Sequence, residues 1–121
     1  MNTSPLCILG CGNIGTAIAR GLINSNQFLA ENITLTRRKI QLLEKLRKAK
    51  FRTTDDNVKT VKKAEIIIIT VGPNQLMPLL DEISSSLNQK HLIISVVSGV
   101  EIREIQEKVG AKVPIIRAMP N

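Results

Sequence analysis

Short apolar runs alternate with stretches of helical spacing along the whole 121-residue chain. The first run, residues 6–10, reads as a strand. Behind it Ile14, Ala17, Ile18, Gly21 and Leu22 recur at helical spacing from Asn13 onward. Residues 32–36 form a second strand, and Ile40, Leu43 and Leu46 mark a helix that ends near Lys50. A short third strand, residues 51–54, leads through the polar turn Asp55-Asp56-Asn57 into a short helix reaching Lys63. The strongest strand is 64–72, where four consecutive isoleucines are closed by Gly72-Pro73. A β-branched run of that kind is buried on both faces and belongs in the middle of a parallel sheet. Leu76, Leu79, Leu80, Ile83 and Leu87 then mark an amphipathic helix. A fifth strand follows at 91–99, a helix at 102–109, and a sixth strand from Val113 that runs into a loop. The alternation predicts an α/β fold of Rossmann type: a doubly wound, mostly parallel sheet of about six strands in one domain, residues 1–121.

Composition narrows the functions open to such a sheet. Aromatic residues make up 2%, with no Trp or Tyr, so the core must come from Ile, Leu and Val, and base stacking has almost no platform. A nucleic-acid partner is not expected. The net charge of +7 is local: residues 37–63 hold 11 Lys+Arg against 3 Asp+Glu. That segment reads as a solvated face with an anion site at one edge. Cys7 and Cys11 are too few for a structural zinc site and are expected to be reduced, hence a cytoplasmic protein. No run approaches 18 apolar residues, and Met1-Asn2-Thr3-Ser4-Pro5 resembles neither a signal nor a transit peptide, so no membrane partner is expected either.

The candidate chemistry starts at Gly10, Gly12 and Gly15, a G-x-G-x-x-G frame between the first strand and the first helix. Gly10 permits a tight turn, Gly12 lets the backbone approach a pyrophosphate, and Gly15 lets the helix pack on the sheet. The helix N-terminus turns free N–H groups and a positive dipole end toward the phosphates. The end of the second strand decides between cofactors. An NAD site usually carries Asp or Glu there, to accept from the ribose 2′-OH. This chain has Thr36-Arg37-Arg38, two guanidiniums and a hydroxyl that suit a 2′-phosphate, while Lys39 is left to solvent. NADP(H) is therefore expected in preference to NAD(H). The turns at 70–74 and 97–100 and the closing Arg117-Ala118-Met119-Pro120-Asn121 lie at the same carboxyl edge, where ligands of such sheets bind.

Together, the glycine loop, Thr36-Arg37-Arg38, Asp55-Asp56-Asn57, Val71-Gly72-Pro73, the S-x-x-x-G-V of 95–100 and the closing R-x-M-P-N resemble pyrroline-5-carboxylate reductase over the whole length. The resemblance implies that the loop from Gly10 through Asn13 and Ile14 to Gly15 holds the pyrophosphate and that Thr36, Arg37 and Arg38 hold the 2′-phosphate end. It implies that Asn57 lies near the adenosine ribose and that Val71, Gly72 and Pro73 run along the cofactor. Val97, Ser98, Gly99 and the loop reaching Asn121 would then flank the nicotinamide. Gly72 stands where the family usually has Lys, and Val97 and Ser98 where a small residue is usual. The implied reaction is hydride transfer from NADPH to a cyclic imine, giving proline. The family continues past this point into a helical, dimerising domain that completes the substrate pocket, so the full-length form is expected to be a homo-oligomer. The chain by itself is expected to be inactive, and a monomer or weak dimer.

No catalytic residue is assigned. His91, the only histidine, is expected at the surface of the opposite edge, and Asp55, Asp56, Asp81 and Glu82 read as turn and helix-surface charges. Two other readings share the glycine loop: a related reductase (of the deazaflavin-dependent NADP reductase or β-hydroxyacid dehydrogenase type) and a non-catalytic NADP-binding sensor or interaction domain.

Overall fold

The computed structural model describes residues 2–119. Strand β1 (Leu6–Leu9) leads into α1 (Asn13–Asn24), and β2 (Ile33–Thr36) into a 3-10 turn (Ile40–Leu43) continuous with α2 (Glu44–Lys48). Then come β3 (Arg52–Thr54), α3 (Asn57–Lys63), β4 (Ile66–Ile69), α4 (Pro73–Ile83), β5 (Leu92–Ser95), α5 (Ile102–Val109) and β6 (Ile115–Arg117). The order across the sheet is β3-β2-β1-β4-β5-β6, with every pairing parallel. This is the expected Rossmann-type sheet. The four isoleucines of β4 lie near its centre, between β1 and β5. The chain winds outward from β1 to β3, then returns to lay β4 on the other side of β1. The crevice at the carboxyl ends of β1 and β4 is therefore the switch point at which such sheets take ligands.

Period-two alternation sorts each strand between two cores. Cys7, Leu9, Ile67, Ile69 and Ile93 pack with Val61, Leu76, Leu80, Ile83 and Ile105 from α3, α4 and α5. On the other face Ile8, Ile33, Leu35 and Ile68 pack with Ala19, Leu43, Leu46 and Phe51 from the α1–α2 side. Each such fully buried Leu or Ile contributes about 1.5–3 kcal/mol. The second face is covered over only part of its width. Strand register aligns Leu35, Ile8, Ile68, Ile94 and Ile116 in one lateral row. Exposure climbs along it from 0% at Ile8 to 6% at Ile68 and 49% at Ile116. A shallow apolar hollow of about 330 Å³ lies at this end, between Ile18, Ile68, Ile94, Val96, Ala118 and Met119.

Three local outcomes differ from the sequence reading. The helix of the basic segment starts as a 3-10 turn, and Ile40, read as part of its apolar face, is 39% exposed. Leu87 lies past the end of α4, because Ser84–Ser86 tighten into a 3-10 turn. Serine competes for backbone hydrogen bonds and is a weak helix former. His91 is not at the surface: it is 6% exposed. Its Nδ1 accepts the Asn88 N–H at 3.0 Å, and its Nε2 lies 3.0 Å from the Val61 carbonyl. A carbonyl only accepts, so Nε2 carries the hydrogen. The ring staples the β5 approach to α3 because both its nitrogens find backbone partners in the interior. Among the described residues, no helix is long and apolar enough to cross a membrane.

Candidate functional site

The turn after β1 gives each of its three glycines a separate physical reason. Gly10 has φ +74°, a left-handed conformation, and a Cβ built on it would stand 2.2 Å from Val71 Cγ1. Any side chain there would be strained and would collide with the turn after β4. A Cβ on Gly15 would fall 2.9 Å from Thr70 Oγ1 and 3.1 Å from both Cys11 Sγ and Ile8 Cγ2. Helix α1 thus lies directly on the sheet at that point. Gly12 is the opposite case, since nothing lies within 4 Å of its would-be Cβ. The space over its backbone is open, as a group docking against bare main chain requires. Gly12 caps α1 without a side-chain hydrogen bond, and no acidic residue occupies the first turn. The first-turn N–H groups, which have no partner within the helix, remain available to an anion.

Strand β2 holds the loop from the side. Thr36 is 1% exposed; its hydroxyl accepts the Gly10 N–H at 3.3 Å and its carbonyl accepts the Cys11 N–H at 2.7 Å. Thr36 is thereby enclosed as an anchor of the glycine turn, and its hydroxyl is not on the surface beside the arginines. Arg37 is half-buried and Arg38 exposed. Among the described residues, neither forms an ion pair. The Arg37 charge reaches the loop: burial pushes the Cys11 thiol up, while the Thr16 hydroxyl, 3.7 Å from Sγ, and Arg37 act in the opposite direction. The end of β2 therefore brings positive charge, without an ion-pair partner among the described residues, beside the free N–H groups of the first turn of α1.

The remaining sequence-predicted residues divide between the edge and the interior. Gly72 caps α4, exposed, with Pro73 opening the helix, while Val71 is half-buried beneath Gly10. Ser98 and Gly99 are exposed at the end of β5, with Gly99 at φ +78°. The Val97 side chain is 2% exposed and belongs to the core, so only its backbone can face a ligand. Asn13 and Ile14 are exposed at the first turn of α1, Ile14 by 51%. Asn57 opens α3; its Nδ2 donates to Glu82 Oε1 at 2.8 Å, while its buried Oδ1 has no partner among the described residues. Asn121 lies outside the described residues.

Thr70 is the residue that sequence reasoning passed over. Its hydroxyl donates toward the Gly10 carbonyl at 3.0 Å and lies 3.2 Å from the Leu9 carbonyl. The available signal was a lone hydroxyl ending an otherwise all-isoleucine run. A hollow of about 490 Å³ lies at the opposite edge, lined by residues of 87–90 and 109–113. It contains none of these groups, so volume alone does not locate the chemistry.

A family model described as NADP oxidoreductase, coenzyme F420-dependent, matches residues 5–99. The chain is 45% identical over 116 residues to pyrroline-5-carboxylate reductase 1 of Dictyostelium discoideum, covering 96% of this chain and 21% of that protein. Among solved structures, a pyrroline-5-carboxylate reductase from Coxiella burnetii superposes with a TM-score of 0.91 at 32% identity, over 99% of this chain and 45% of that one. The pyrroline carboxylate reductase of Plasmodium falciparum, solved with NADP bound, gives 0.87 at 26% identity, over 100% of this chain and 44% of that one. The chain thus spans less than half the length of these relatives.

Proposed function

The chain belongs to the family of NADP oxidoreductases described as coenzyme F420-dependent, and from that premise we propose that it is the NADP(H)-binding part of a pyrroline-5-carboxylate reductase. Likeness over nearly the whole chain to reductases of that name supports the substrate, the cyclic imine 1-pyrroline-5-carboxylate. The observation that carries the cofactor assignment is the open backbone over Gly12 beside the unpaired Arg37 and Arg38. When bound, NADPH supplies the hydride that reduces the C=N bond.

The chain's own residues bind and orient. The free N–H groups at the start of α1 meet the pyrophosphate, and Gly12 lets it approach main chain. Arg37 and Arg38 hold the 2′-phosphate, and no carboxylate at the end of β2 repels it. Asn57 lies toward the adenosine ribose. Val71, Gly72 and Pro73 run beside the cofactor, and Ser98, Gly99 and the Val97 backbone flank the nicotinamide. Reduction of an imine also needs a proton at nitrogen. His91 cannot deliver it, being sealed at the opposite edge, and Asp56 is committed to capping α3. By the resemblance to pyrroline-5-carboxylate reductase, the proton donor and the substrate pocket are assigned to further parts of a full-length, homo-oligomeric enzyme. Residues 1–121 by themselves bind cofactor without forming proline, and the exposed apolar end of the sheet favours at most weak self-association. The place of work is the cytoplasm.

The cofactor preference is tested with the double variant Arg37→Ala plus Arg38→Ala. Charge-assisted hydrogen bonds contribute about 1.5–3 kcal/mol, so NADPH affinity should fall by about tenfold or more while NADH affinity stays unchanged. Equal losses for both cofactors would contradict the 2′-phosphate assignment.

A further inference from the structure

Gly10 is gripped at both ends of its backbone by hydroxyls that two different strands position. The Thr36 hydroxyl at the end of β2 accepts its N–H at 3.3 Å, and the Thr70 hydroxyl, just past β4, donates to its carbonyl at 3.0 Å. The Leu9 carbonyl already accepts the Thr70 N–H at 3.0 Å, which leaves the Gly10 carbonyl as the better partner for the hydroxyl. The same hydroxyl oxygen would lie 2.9 Å from a Cβ on Gly15, so the start of α1 also rests against it. One side chain thus touches both the turn and the helix whose N–H groups face the open space over Gly12.

Val71, the next residue, fills the space beneath Gly10. A shift of the loop would accordingly have to break the Thr70 contact, move Val71, or both. We infer that Thr70 is a positioning residue for the dinucleotide: with Thr36 it fixes Gly10 so that the N–H groups of the first turn of α1 point at the pyrophosphate. This rests on the cofactor reading above. Thr70 touches no ligand and acts through the turn. Its loss should weaken the binding of molecules that carry a pyrophosphate and spare those that bind through the arginines alone.

The test compares Thr70→Val and Thr70→Ser with the unaltered chain, each titrated with NADPH and with 2′-AMP, which has the 2′-phosphate but no pyrophosphate. Losing one net hydrogen bond corresponds to a roughly three- to tenfold change in affinity. Thr70→Val should bind NADPH more weakly by that factor and bind 2′-AMP as the unaltered chain does, while Thr70→Ser should restore NADPH binding. Unchanged NADPH affinity in Thr70→Val, a parallel loss for 2′-AMP, or failure of Thr70→Ser to bind as the unaltered chain does would overturn the inference. If the valine variant does not fold, Thr70→Ala removes the same hydroxyl: weaker NADPH binding with unchanged 2′-AMP binding supports the inference, and unchanged NADPH binding overturns it. An unaltered chain that binds no NADPH would overturn the cofactor reading and this inference with it; normal binding matched by Thr70→Val would overturn this inference alone.

Discussion

Cys7 lies inside the sheet with 0% exposure, and burial pushes its thiol from the ordinary 9.0 up to about 12. The unfolded chain releases that proton from about pH 9 upward, whereas the folded chain keeps it until about pH 12. The stability tied to this thiol is therefore complete below about pH 9 and is lost as pH rises, by at most about 1.4 kcal/mol per pH unit. Replacing the residue by Cys7→Ala should flatten the fall of unfolding free energy between about pH 9 and 10.5, as measured by urea titration. Equal slopes in the two proteins would contradict the buried-thiol account. The residue itself was legible as a small hydrophobe, because a cysteine inside an apolar strand has few other roles. Thr36 and Thr70 were less so. A hydroxyl's partner depends on strand register and on the path of a neighbouring turn, and residue order along a single strand does not encode either. Thr36 consequently read as a surface ligand for phosphate, where the structure encloses it as an anchor.

At the scale of elements, local chemistry sets several boundaries. Helix α3 begins where the Asp56 carboxylate accepts the Lys59 N–H at 3.0 Å, and α5 begins in a capping box between Glu101 and Glu104. A lost Asp cap costs about 1 kcal/mol, so Asp56→Ala should lower the melting temperature by about 4 °C, while Asp56→Asn should largely preserve it. Calorimetry on the two variants checks this; an alanine variant as stable as the parent would show that the cap contributes nothing. The six strands were readable from period and β-branching, since buried parallel strands are written as continuous apolar runs. Helix ends were less readable. Whether Ile40–Leu43 winds as α or 3-10 helix depends on how Leu43 and Leu46 reach the core. The burial of His91 was invisible for a similar reason, because its two partners come from the Asn88 turn and from Val61 on another element.

For the whole molecule, the sheet order matters more than any one motif. Placing β4 beside β1 brings the Gly10 turn, the Val71 turn and the arginines after β2 to one edge, although these lie far apart in sequence. The opposite edge holds the larger hollow and the sealed His91. The central claim, that NADP(H) sits at the carboxyl edge with its phosphates between the glycine turn and Arg37-Arg38, is tested most directly by titrating the isotope-labelled chain with NADPH and following backbone amide shifts. The shifts should concentrate at Gly10, Gly12, Asn13, Ile14, Gly15, Arg37, Arg38 and Gly72, and leave residues 87–90 and 109–113 unmoved. Shifts confined to that opposite edge, or none at saturating cofactor, would contradict the account.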